Sequence, residues 1–124
     1  MTSEFVHLHN HSDYSLLDGA QRIDQLINTI GDLNMDSVAL TEHGNMFSVL
    51  PYYNEAKKAG IKPIIGCEVY VAVGSRFEKK NLSGGGWGNN HLILLAQNYV
   101  GYKNLMKLVT AGYLEGFYYR PRID

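Results

Sequence analysis

The sequence predicts an α/β chain with parallel strands covered by helices, and three observations carry that expectation. Apolar residues alternate over residues 5–9 but fall at three-and-four spacing from Arg22 onward, the periods of a strand and of a helix stripe. The two patterns then take turns, β-α-β-α-β, a polar excursion, and β-α. The 124 residues, 45% apolar and 19% charged, are enough for one domain with a real core.

The first element, FVHLH at 5–9, puts Phe5, His7 and His9 on one side and Val6 and Leu8 on the other, as a strand does. Ile23, Leu26, Ile27, Ile30 and Leu33 form the stripe of a first helix. SVALT at 37–41 reads as a second strand closing in the polar EHGN. A second helix is expected over Ser48–Ala59, with Pro51 tolerated in its first turn and Gly60 as its stop. IKPIIG and EVYVAV read as a strand pair, HLILLA at 91–96 as a further strand, and Tyr102, Leu105, Met106 and Val109 mark a last helix. Between them, GSRFEKKNLSGGGWGNN at 74–90 is an insertion or hairpin tip. Its GGGW lacks the Lys-Ser/Thr of a phosphate loop, so no phosphate cradle is expected there.

Net charge is −1, which gives no global basic field for nucleic acid but does not exclude a local basic strip such as Arg76, Lys79 and Lys80. The single cysteine, Cys67, has no internal disulfide partner and suits a reducing compartment. No apolar run approaches the roughly 20 residues of a membrane span. The amino terminus lacks the basic-then-apolar layout of a signal peptide. A soluble, cytoplasmic chain without a membrane partner is the expectation.

Polar residues collect where parallel α/β folds keep their chemistry, at the carboxyl ends of strands. His9 and His11 close the first strand, His43 the second, Glu68 follows PIIG, and Asp18 lies in the loop before the first helix. Imidazole with carboxylate suits zinc, manganese or iron, whereas magnesium prefers oxygen alone. Residues two apart on a strand point the same way about 6.6 Å apart, close enough for both imidazoles to reach one ion. His7 and His11, about 13 Å apart by the same rise, are too far. The pair is therefore His7 with His9 or His9 with His11. The pair nearer the rim is favoured, leaving His7 one layer deeper as a hydrogen-bonded or core residue. Taken singly, each group has a plain reading: Asp13 and Asp18 as turn residues, Glu68 as a partner for Lys62, Cys67 as a small buried hydrophobe. Their coincidence at one rim is what points to metal. His91 begins its apolar run instead of ending it. It reaches the rim only if its strand returns antiparallel after the excursion, and spacing leaves that open.

HNHS at 9–12, TEHGN at 41–45, GCE at 66–68 and HLILLA at 91–96 resemble the successive motifs of the polymerase and histidinol phosphatase (PHP) superfamily. FVHLHNHSDYSLLDGA, GIKPIIGCEVYVA and GYLEGFYYRPRID are similar in particular to the amino terminus of its bacterial DNA polymerase III alpha-subunit branch. The resemblance covers residues 4–124 and implies the first half of a distorted seven-stranded β/α barrel holding up to three divalent ions. It implies that His9 and His11 hold the first ion, Glu68 bridges the first and second, His91 binds the second, and Asp18 and His43 bind the third. Position 42 is Glu where many relatives have Asp, at a site that is not usually a ligand. The family's later histidine and its closing Asp-x-His pair have no counterpart, since no histidine follows His91. Residues 1–124 are therefore expected to be the amino-terminal part of a PHP domain from a larger enzyme. The implied chemistry is metal-dependent phosphoester hydrolysis, as 3′-to-5′ exonuclease proofreading beside a DNA-directed DNA polymerase. Implied partners are DNA, the rest of the polymerase and a proofreading subunit. The chain alone is expected not to polymerise. A half barrel with open strand edges is also expected to associate with itself. Two rivals are a stand-alone PHP phosphatase, which the LLDGA and EGFYYRPRID segments disfavour, and a non-catalytic platform of the polymerase.

Overall fold

The computed structural model describes residues 5–79 and 89–124. Chain order is α1 (Ile23–Asp32), β1 (Ser37–Leu40), α2 (Val49–Lys58), β2 (Lys62–Ala72), β3 (Asn89–Leu95), α3 (Tyr99–Leu114), β4 (Phe117–Tyr118) and β5 (Arg120–Ile123). The long β2 is the spine of the sheet. β1 runs parallel to its first residues, from Ser37 opposite Lys62 to Leu40 opposite Ile65, and β5 runs parallel to Tyr70 and Val71. β3 returns antiparallel along Gly66–Ala72, and β4 pairs antiparallel with β5. Tyr70 pairs with both Arg122 and His91, so those neighbours occupy opposite edges of β2. Glu68 likewise lies between His43 and Ile93. β1, His43 and β5 therefore succeed one another along one edge, and β3 holds the other.

Burial follows from the sequence patterns. The α1 stripe buries Ile23, Leu26, Ile27 and Ile30 against Val38 and Leu40 of β1, Tyr52 and Ala56 of α2, and Ile61. Each such aliphatic contributes about 1.5–3 kcal/mol relative to exposure. Leu33, at the end of the stripe, caps the helix and is 53% exposed. All of β1 is buried, as expected for a parallel strand covered on both faces. Along β2 the alternation sorts function from packing. Cys67 and Val69 join Leu105 of α3 and Ile123 of β5 in a second core, while Glu68 and Tyr70 point the other way. Burial, with the charges of Glu68 and Glu42 behind it, pushes the Cys67 thiol up to about 12, so it packs as an inert hydrophobe.

Two expectations need correction and two features go beyond them. FVHLH is extended but makes no regular ladder: Ala39 N–H donates to His7 O at 2.8 Å and Thr41 N–H to Asn10 O at 2.9 Å. The two-residue step from Ala39 to Thr41 thus spans a three-residue step, from His7 to Asn10, of the amino-terminal segment. Asn10 fills the gap, its Nδ2 donating to Ala39 O (3.0 Å) and its N–H to Thr41 Oγ1 (3.1 Å). IKPIIG and EVYVAV are one continuous strand, because Gly66 lets β3 and Thr41 approach closer than any side chain there would allow. The β4–β5 hairpin was not anticipated, since its strands are short and its pairing is to distant β2. The local basic strip is not a free field at Arg76, whose guanidinium pairs with Glu115 at 2.6 Å and with Asp124. Most of the glycine-rich tip, residues 80–88 with Lys80, lies outside the described residues.

Candidate metal centre

Glu68 is 1% exposed, yet four imidazoles converge on its carboxylate. His9 Nε2 (2.6 Å) and His11 Nε2 (3.3 Å) face Oε2, while His91 Nδ1 (2.5 Å) and His43 Nδ1 (3.1 Å) face Oε1. Each oxygen thus has two nitrogens, delivered by three segments: the extended amino terminus, the end of β1, and β3. Antiparallel return brings His91 here by setting it opposite Tyr70, two residues along from Glu68. Asp18 joins through His43, whose Nε2 lies 2.8 Å from Asp18 Oδ2. The His11 and His43 rings stack at 3.8 Å, and His9 meets His11 edge-on at 4.8 Å.

The electrostatics suit cation binding. Burial, reinforced by neighbouring His43, lowers the His11 pKa and favours the neutral imidazole a metal needs. Burial alone would push Glu68 upward, but the His9 hydrogen bond and the nearby imidazoles outweigh it and hold the carboxyl below its ordinary value. The hydrogen bond to His43 lowers Asp18. His11 Nδ1 is buried with no hydrogen-bond partner among the described residues. Donor atoms of His9, His11 and Glu68 lie within 4.8 Å of one another. Imidazole nitrogen beside carboxylate oxygen is the donor set of zinc, manganese or iron, so the residues present fit such an ion.

A second buried glutamate holds these loops in place. Glu42, at the end of β1 and 2% exposed, accepts from the hydroxyls of Ser12, Ser15 and Ser48 and from the Ser12 amide. Ser15 Oγ also accepts from the His43 amide at 3.1 Å. The loop between His11 and Asp18 is thereby tied to β1 and to the start of α2. Gly19 belongs to the same closure, since a Cβ there would lie 1.8 Å from Ser12 O.

The PHP domain family profile matches residues 7–124. The chain belongs to the PHP domain family. Among its relatives, the DNA polymerase III subunit alpha of Borreliella burgdorferi is 60% identical over 122 residues, 98% of this chain and 10% of that protein. That of Aquifex aeolicus is 48% identical over 128 residues, 100% of this chain and 11% of that protein. The chain therefore spans about a tenth of the length of the curated relatives it matches. Among solved structures, an amidohydrolase from Chromobacterium violaceum superposes with a TM-score of 0.54 at 22% identity, over 86% of this chain and 34% of that one. A Bifidobacterium adolescentis protein provisionally assigned as a metal-dependent phosphoesterase gives 0.54 at 14% identity, over 87% and 34%. These two likenesses are of fold: a mixed α/β chain whose partial sheet matches a portion of theirs.

Within this PHP chain, the residues named from sequence divide plainly. His9, His11, His43, His91 and Glu68 meet, and Asp18 touches the group through His43. His7 does not take the deeper position expected of it. It is exposed, with its ring edge-on to Phe5 at 4.8 Å, in the stretch before Asn10 where the pairing with the 39–41 segment slips by one residue. Sequence reasoning passed over Tyr70 and Arg120, and noted Glu42 only as a position that is not usually a ligand, without its role as a brace. Tyr70 was findable, being two residues from Glu68 on the same strand face. Arg120 had no local signal, since only the β2–β5 pairing brings it to the site.

Proposed function

We propose that residues 1–124 are the amino-terminal part of the PHP domain of a bacterial DNA polymerase III alpha subunit, with a divalent metal site for phosphoester hydrolysis. The reading of the site rests on one observation: a buried carboxylate flanked, two nitrogens to each oxygen, by four imidazoles from three segments. His9, His11 and Glu68 would hold one ion, His91 and Glu68 a second, and Asp18 and His43 a third. Zinc, manganese or iron is the expected occupant, with fewer ions in this chain than in a complete domain. When bound, such ions lower the pKa of water and offset the charge of a phosphoryl group. The chain's own residues prepare that chemistry. Burial favours neutral His11, Glu68 supplies a buried carboxylate facing four imidazoles, and the Glu42 cage fixes the loop carrying His11 and Asp18. The substrate is a DNA 3′ end, consistent with identities of 60% and 48% to polymerase alpha subunits.

The test combines metal analysis with nuclease assay. The purified chain, dialysed against Mn(II) or Zn(II) and desalted, retains at least one ion by elemental analysis, and the His9→Ala/His11→Ala variant loses it. A chain carrying the residues that follow Asp124 in its parent, loaded the same way, shortens single-stranded DNA from its 3′ end. Neither extends a primed template. Equal metal retention by wild type and the double variant would refute the assignment of the site.

A further inference from the structure

Beside the imidazoles opens a concave mouth of about 640 Å³, lined by His43, His91, Asp18, Tyr70, Tyr113 and Arg120, among others. Arg120 is the cation of that lining. Its Nη1 donates to the Tyr70 hydroxyl at 2.7 Å, and its Cζ lies 5.1 Å from the centre of the Tyr70 ring. No ion pair joins it to a carboxylate among the described residues, in contrast to Arg76, which is paired twice. A guanidinium presents five N–H donors in a fixed fork, and most of this one's remain for a ligand.

Its placement is enforced from several sides. Tyr70 is 1% exposed and meets the His91 ring edge-on at 4.9 Å, so the hydroxyl holding Arg120 is fixed to the same strand as Glu68. Gly44, at φ +61°, leaves the space this ring fills, since a Cβ there would come within 2.8 Å of both the Tyr70 ring and Pro121. Arg120 itself follows Tyr119, the single residue between the paired Tyr118 and Arg120, which adopts φ +59°. A non-glycine residue in that region is strained and persists where the surroundings over-determine it. Exposed aromatics complete the mouth: Phe47 and Tyr113 lie with ring centres 6.3 Å apart.

We propose that Arg120 is the phosphate-recognising residue of this mouth, its fork taking the non-bridging oxygens of a nucleotide phosphate while Phe47 and Tyr113 offer the base a stacking surface. The inference rests on the phosphoesterase reading above and names the group that orients its substrate. Arg suits planar, two-point recognition of phosphate, and aromatic faces accept any base.

The test titrates the whole chain with thymidine 5′-monophosphate and, separately, thymidine, with and without Mn(II), and measures Mn(II) content on the same samples. Arg120→Ala weakens monophosphate binding at least tenfold, leaves thymidine binding within twofold, and leaves Mn(II) content and circular dichroism unchanged. Arg120→Lys, with charge but no fork, recovers part of the loss, and Tyr70→Phe loses about threefold. Monophosphate affinity within twofold of wild type in Arg120→Ala overturns the proposal, as does a wild type that binds thymidine and its phosphate equally. A wild type that takes up no Mn(II) but loses metal-free monophosphate affinity in Arg120→Ala refutes the metal reading and upholds this one.

Discussion

Among the described residues two glutamates are buried, Glu42 just past β1 and Glu68 on β2, joined by a Glu68 N–H bond to Glu42 O at 3.0 Å, and they do opposite work. Glu42 meets hydroxyls and an amide, all neutral donors whose bonds run inward to serines of the chain itself. Glu68 meets imidazoles, groups that ligate metals, in a mouth open to solvent where His9 and His91 side chains are 54% and 58% exposed. The first has its bonding completed by the fold, whereas the second is surrounded by lone pairs that a cation would satisfy. A buried acid therefore says little until its partners are known, and the partners separate brace from site.

The largest effect that probes this contrast is on the brace. Glu42→Ala strands three serine hydroxyls and an amide without their acceptor. A loss of about 3 kcal/mol in urea unfolding of the metal-free chain is expected. A loss below about 1 kcal/mol would mean the cage is not a brace. Glu68→Gln should show the reverse pattern. Metal retention measured by elemental analysis falls ~100-fold or more, and the circular dichroism of the metal-free chain stays that of wild type. Were the two variants to behave alike, the distinction between the acids would fail.

A smaller effect tests the seam between the two regions. Gly44 follows His43, and Gly44→Ala adds left-handed strain at φ +61° together with contacts near 2.8 Å on Tyr70 and Pro121. It should cost at least the ~1–2 kcal/mol of the backbone strain alone, read as a lower thermal midpoint. The smallest effect comes from a surface acid. Asp124 is held below the usual carboxylate range by the Arg76 amide and then its guanidinium. Folding therefore favours its ionised form. That contribution is complete above about pH 3.9 and is lost as pH falls through the lowered folded value. Asp124→Asn should lower the urea midpoint slightly at pH 6, with the difference closing at the acid end of a pH series. A difference independent of pH would remove charge from its explanation.

Much of the fold and site was legible before any coordinates. The α1 stripe, the short SVALT strand and the Ser48–Ala59 helix depend on local period and propensity, and the structure places helices at Ile23–Asp32 and Val49–Lys58 and a strand at Ser37–Leu40. The residue types of the site were legible too, because imidazoles and acids cluster at segment ends in few chemical settings.

Sequence by itself determined which groups are available: five histidines, the acids Asp18, Glu42 and Glu68, and the periods that build strands and helices around them. Only tertiary structure decided which of them meet. The amino-terminal segment left His7 exposed while bringing His9 and His11 to one carboxylate, antiparallel return carried His91 to Glu68, and the β5 register set Arg120 against Tyr70. The reason is physical. Local patterns fix which face a side chain takes within its own element, whereas distances between elements come from hydrogen-bond register and close backbone approach, which no short stretch of chain encodes alone.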